Sequence, residues 1–183
     1  MSRRASLVLQ RQAAPRAAYK TDPALALIRK HARTVWSSDN DALHGIIAPG
    51  DGYGVTWHFG IDRAVGGEHD APNPGELLCA ALAACQHAAI RMVADALGIV
   101  LMHLEVEAIG TVDVRGSLAI DRSVRVGFAR FDCRATLALE PGADPRLCEK
   151  LLVEAERSCI NLATLRAGVP VTLAFNLAGS DPV

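Results

Sequence analysis

Between Gly75 and Leu97 the apolar residues Leu78, Leu82, Cys85, Ala89, Met92 and Ala96 follow one another at intervals of 4, 3, 4, 3 and 4. That spacing returns them to one face of an α-helix. Ala80, Ala81, Ala83, Ala84 and Ala88 make the flanks apolar too, so other parts of the chain must enclose the first four turns. Only Glu76, His87, Arg91 and Asp95 interrupt; Arg91 and Asp95 stand four apart and can pair on a wetter side. The Ala-rich stretch Leu77–Ile90 is cut by Gln86 and His87, short of the roughly 18 apolar residues that span a bilayer. Gly98 ends the helix. The sequence therefore asks for a domain built around one buried helix, with no membrane partner.

The other elements follow from local signals. Asp22-Pro23 is an N-cap with proline in the first turn and predicts a short helix from Pro23 to about His31. Strands are expected at about Ala32–Ser37 and at Tyr53–Phe59, separated by the turn-rich Ser38–Asp41 and Pro49–Gly52. A Gly/Pro loop from Gly66 leads into the helix at Gly75. Two long strands, Leu101–Asp113 and about Val124–Leu139, follow, with a bulge expected near Gly127. Asp144-Pro145 opens a second helix that carries Leu147, Leu151, Ala155, Cys159 and Leu162 on one face. Gly168 breaks it, and Val169–Leu177 reads as a closing strand. The order ββαββαβ is that of an α+β domain over residues 34–183, preceded by a basic extension with a short helix over residues 1–33.

Composition narrows the function. Of 183 residues 50% are hydrophobic and 21% charged, ample for a core and unlike a disordered chain. With 19 Lys+Arg against 20 Asp+Glu and 4% aromatics, nucleic-acid binding is a poor fit. The extension holds Arg3, Arg4, Arg11, Arg16, Lys20, Arg29, Lys30 and Arg33 against one acid, Asp22. Leu7-Val8-Leu9 is too short for the apolar region of a signal peptide, so the arm reads as solvated or docked on the acidic body or a partner subunit, and the protein as cytoplasmic. The five cysteines, Cys79, Cys85, Cys133, Cys148 and Cys159, form no CxxC pair and no zinc-like cluster, so no metal is expected. An odd count suits a reducing compartment. Cys79 and Cys133 read as packing residues, Cys148 as a core or surface residue in the first turn of the second helix, and His69-Asp70 as a solvated loop pair. Gly66-Gly67 lacks the strand–turn–helix setting of a phosphate loop.

Cys85 and Cys159 occupy equivalent places on the two apolar helix faces. If those faces meet, so can the sulfurs, which leaves two readings: ordinary core packing, or a redox pair. In the second, one thiolate takes an oxygen from a peroxide to become a sulfenic acid, and the other thiol closes a disulfide. The attacking thiol needs a lowered pKa, and a residue three turns into a helix cannot draw this from the helix terminus alone.

The run Asn73-Pro74-Gly75-Glu76-Leu77-Leu78-Cys79-Ala80-Ala81-Leu82-Ala83-Ala84-Cys85 resembles the NPxELLxAALAAC signature of the OsmC/Ohr family, the osmotically inducible and organic hydroperoxide resistance proteins. Gly98–Leu101, the Asp113–Gly116 turn, and Cys159 followed by Leu165 also fit, and the resemblance covers about residues 34–177. It implies an OsmC-like fold, two central helices packed against β-sheets, and an intertwined homodimer. It further implies that Cys85 attacks an organic hydroperoxide and Cys159 resolves it, with an external dithiol as reductant and neither metal nor bound cofactor.

Three positions depart from the family pattern. Its usual Glu, two residues after the Asn, is Gly75 here, with Glu76 next to it. The family's thiol-activating strand Arg has no match in Ser37–Asp41, where the nearest cations are Arg33, His44 and Arg63. Ile160 stands where the family often has a proline after the resolving cysteine. The resemblance thus offers Cys85, Cys159, Glu76 and Arg33 as the catalytic set of a hydroperoxide reductase. The alternative is a divergent dimer that keeps the thiols but binds a small apolar or thiol ligand without turnover.

Overall fold

The computed structural model describes residues 5–36, 41–50 and 52–176. Helix α2 (Pro74–Leu97) is the centre of the molecule. Asn73 and Glu76 cap its start reciprocally, Pro74 fills its first turn, and Gly98 ends it in the left-handed conformation at φ 72°. By length and composition α2 could cross a bilayer, but here it packs against strand β4 (Leu101–Val112) and helices α4 (Pro145–Ser158) and α5 (Ile160–Ala167).

Strand β4 pairs antiparallel with β5 (Phe128–Leu139) across a one-turn helix α3 (Val114–Ser117). The register sets Leu104 opposite Leu137, Val106 opposite Ala135 and Ala108 opposite Cys133. Ile90, Ala94, Ile99, Leu151 and Ala155 make the main buried cluster, with Leu104, Val106 and Leu137 packed against it. A smaller one joins Leu82, Ala89 and Cys159.

A second antiparallel sheet, β1 (Ala32–Val35), β2 (His44–Pro49) and β3 (Trp57–Gly60), stands apart from this body. It is tied to the loop before α2 by the Gly60 N–H, which donates to the Pro72 carbonyl at 3.1 Å. Among the described residues the chain is thus an α+β fold with two antiparallel sheets.

Several expected elements are placed differently. Helix α1 (Leu7–Thr21), which the sequence reading did not contain, starts at the Ser6 cap and carries Pro15 inside it. It docks on α2 through Asp95, whose Oδ2 accepts from Ser6 Oγ at 2.5 Å and from the Val8 N–H at 2.9 Å. The helix expected from Pro23 to His31 shrinks to a 3₁₀ turn, Pro23–Ala26. Leu27 and Ile28 beyond it are exposed and find no surface to bury against, so nothing offsets the entropy of ordering further turns.

Strand β2 was missed because Pro49 and the following glycine read as a turn, although Pro49 only ends the strand. β3 starts at Trp57 and β5 at Phe128, each later than expected. The irregularity foreseen near Gly127 lies one step on, where Thr111 pairs with Arg130 but Val112 with Phe128. The second helix breaks at Cys159, whose ψ of 103° is extended, so this residue caps two helices instead of sitting inside one. The closing strand is not formed over the described residues up to Asn176; Leu177 lies outside them.

Candidate active site

The site is assembled from the fourth turn of α2 and the α4–α5 junction. Cys159 is fully buried and hydrogen-bonded to the Cys85 side chain; Cys85, Cys133, Phe131 and Leu162 pack against the cluster it forms with Leu82 and Ala89. None of the five cysteines is in a disulfide. Burial pushes the Cys159 thiol above the ordinary cysteine value. The Leu162 backbone N–H pulls it the other way, and the facing sulfurs of Cys85 and Cys133 push it up again. Cys159 is thus held as a protonated thiol beside its neighbour, the state from which it can pass a proton to a leaving group.

What fixes this register is Asn161. Its side-chain amide donates to the Ala81 carbonyl at 2.8 Å. That carbonyl is the one an α-helix pairs with the N–H of Cys85, so Asn161 ties the first turn of α5 to the turn of α2 that carries the thiol. The sequence reading missed it, since a lone Asn whose partner is a helix carbonyl 80 residues away leaves no pattern.

Glu76 is engaged elsewhere. Its carboxylate accepts the Asn73 N–H at 2.9 Å, while Asn73 Oδ1 accepts the Glu76 N–H at 3.0 Å. It lies nine residues, about 13 Å of helix rise, before Cys85. Gly75, where the family motif has its Glu, is covered by an aromatic ring: a Cβ there would lie 3.0 Å from Phe128 Cζ and 3.1 Å from Asn73 Oδ1. Arg33 is exposed on β1 opposite Ala48. The sheet that carries it makes no substantial contact with α2 within one chain, so the structure does not bring Arg33 to Cys85.

The other nearby cations have partners. Arg63 donates to the Glu68 carbonyl at 3.3 Å. His44 lies between two carboxylates, Nδ1 at 2.6 Å from Asp41 and Nε2 at 2.9 Å from Asp70. Hydrogen bonds to Asp70 and then Asp41 raise its pKa to about 9; the Leu43 backbone N–H and then His44 lower Asp41, and His44 lowers Asp70.

His44, Glu68 and Asp70 also form the group of possible metal ligands found among the described residues, with ligand atoms within 4.8 Å of one another. Two flanking carboxylates demand an imidazolium, and a metal would have to displace its Nε2 proton. We therefore read His44, held by Asp41 and Asp70, as an ion-paired clasp between β2 and the loop before α2.

An open groove of about 830 Å³ runs between α2, β5, α4 and α5. Its walls are Leu78, Leu82, Phe128, Phe131 and Leu165, with Arg125, Arg130 and Arg166 at the edges and Cys133 in the lining. Arg130 pairs with Asp132 at 3.0 Å and Arg166 with Glu156 at 2.6 Å. Gln86, next to Cys85 in sequence, lines it too; its buried Oε1 has no hydrogen-bond partner.

A family model described as OsmC-like protein matches residues 67–174. No curated protein matches the chain. Among solved structures it is similar to an OsmC-like protein of unknown function from Vibrio cholerae, with a TM-score of 0.61 at 15% identity over 75% of this chain and 94% of that one. It is similar to the OsmC-like protein of Mycoplasma pneumoniae, with a TM-score of 0.59 at 13% identity over 77% and 89%. An organic hydroperoxide resistance protein from Elizabethkingia anophelis gives 0.56 at 19% over 78% and 91%. At these identities the likeness is one of fold. With the family match spanning more than half of its length and the α+β architecture in agreement, this chain belongs to the OsmC-like family.

Proposed function

We propose that the protein is a thiol-dependent reductase of organic hydroperoxides. The observation that carries this reading is the half-buried Cys85 packed against the fully buried, protonated Cys159. The Cys85 thiolate attacks the terminal peroxide oxygen, the O–O bond breaks, and the alkoxide takes a proton to leave as an alcohol. Cys85 is then a sulfenic acid. Cys159 attacks its sulfur, a disulfide forms, and the hydroxyl leaves as water with the Cys159 proton. An external dithiol returns both thiols, and neither metal nor bound cofactor takes part. Five free thiols suit a reducing cytoplasm.

The working unit is a homodimer. Val171, Leu173 and Phe175 are 86, 78 and 83% exposed and alternate with smaller or polar residues, as a strand without its neighbour does. The β1–β3 sheet makes no substantial contact with α2. A second copy covers both and brings its own β1, with Arg33, towards the cysteine pair.

Counting free thiols by mass spectrometry after one equivalent of cumene hydroperoxide tests the reaction. Wild type is expected to lose two thiols as Cys85–Cys159, and Cys159→Ser to hold a trappable sulfenic acid at Cys85. Survival of all five thiols over minutes would sink the assignment. One observation favours a second reading, a ligand-binding protein without turnover. The groove holds a buried acceptor, Gln86 Oε1, ready for a donor on a small ligand.

A further inference from the structure

Three cysteines gather at this buried cluster, and the two-cysteine scheme uses only two of them. Cys133 is on the face of β5 that looks inward with Phe131 and Leu137, opposite Ala108 of β4; like Cys85 it packs against the cluster that holds Cys159, near enough to act on its thiol electrostatically. Cys159 has no exposed surface, so a dithiol cannot attack its sulfur directly. Cys133 lines the open groove; neither Cys85 nor Cys159 does.

We propose that Cys133 is a third redox thiol, which takes over the disulfide from Cys85 and presents it to the reductant in the groove. The inference rests on the hydroperoxide reading above. In the exchange, the Cys133 thiolate attacks the Cys159 sulfur of the Cys85–Cys159 bond. A Cys133–Cys159 bond forms and Cys85 leaves as a thiolate, with no net oxidation. An external dithiol then attacks Cys133 from the groove, and Cys159 departs and takes up a proton. The second thiol of the reductant closes its own disulfide and frees Cys133. Cys85 regains its thiolate before any reductant arrives and can meet a second peroxide.

Burial also pushes the Cys133 thiol up. It stays protonated near neutral pH, which keeps it from competing for peroxide. Below its pKa the thiolate fraction, and with it the exchange rate, grows by about tenfold per pH unit.

The test maps disulfides by mass spectrometry after alkylation at timed intervals, without reductant, at pH 7 and pH 9. After one equivalent of cumene hydroperoxide, Cys85–Cys159 is expected first, converting to Cys133–Cys159 with Cys85 again alkylated, and sooner at pH 9. Wild type should consume two equivalents before reductant is added. Cys133→Ser and Cys133→Ala should stop at the first disulfide and consume one. Cys79 and Cys148, outside the cluster, serve as internal controls and should stay alkylated.

A stable Cys85–Cys159 bond with Cys133 free at both pH values, or two equivalents consumed by both variants, overturns the relay. Oxidation by diamide separates this failure from that of the parent reading. If peroxide leaves the thiols intact while diamide yields Cys85–Cys159 and then Cys133–Cys159, the exchange stands and the hydroperoxide function falls.

Discussion

The hydrogen bond from Asn161 to the Ala81 carbonyl is a single contact with a kinetic consequence. It holds two helices so that one sulfur faces another. Asn161→Ala removes the donor and leaves the carbonyl its helical partner, so the fold should lose only about 1 kcal/mol. Closure of the disulfide should suffer more than formation of the sulfenic acid. Trapping with dimedone should show a longer-lived Cys85 sulfenic acid in the variant with its rate of formation unchanged. Equal lifetimes would mean that packing alone fixes the sulfurs. The residues around the site were unequally legible. The two cysteines stood out because helical periodicity put each on an apolar face. Glu76 was visible as a carboxylate near the motif, but its role in the cap depends on backbone geometry at Asn73. The ring of Phe128 over Gly75 joins positions far apart in sequence and left no local trace.

Among elements, the sheet β1–β3 hangs on the loop before α2 partly through the Asp41–His44–Asp70 clasp. The folded pKa of His44, about 9, lies above its ordinary 6.5. Its contribution to the fold is therefore complete below about pH 6.5 and fades as pH rises through 9. Asp41 and Asp70 are lowered, so their share is present above their ordinary 3.8 and is lost in acid as pH falls through their folded values. The clasp is tightest between these limits. An NMR titration of the His44 ring should give a midpoint near 9 in wild type and a value nearer 6.5 in Asp70→Asn. A wild-type midpoint near 6.5 would show that the clasp does not form in solution. Elements with strong periodicity or caps, α2 and β4, were readable to within a residue or two, and so was the start of α4. α1 was not, because its own face is weakly apolar and it is placed by two contacts to Asp95 on a distant helix. The break at Cys159 was hidden as well, since the apolar spacing runs on through Leu162 while the backbone does not.

At the scale of the whole molecule, the alternation from Val169 to Phe175 predicts a strand that one chain does not complete. Pairing with a second copy would bury it. Sedimentation should report twice the 19.4 kDa of the chain for wild type. It should report a shift towards single chains for Leu173→Lys with Phe175→Lys, because two buried ammonium groups would face no partner. A wild-type chain that sediments alone at micromolar concentration would refute the dimer. The dimer is an expectation of the family resemblance; composition and periodicity alone say nothing of it. The interruption between α4 and α5 carries a mechanical implication. In a continuous helix, a bond drawn to one side chain would tilt the rod and disturb every contact along it. At Cys159 the backbone is already extended, with the Cys159 carbonyl receiving the Ala163 N–H on one side and its N–H reaching back to Glu156 on the other. If the proposed disulfide closes, the joint can take up the displacement in two torsions, so that each helix keeps its seat.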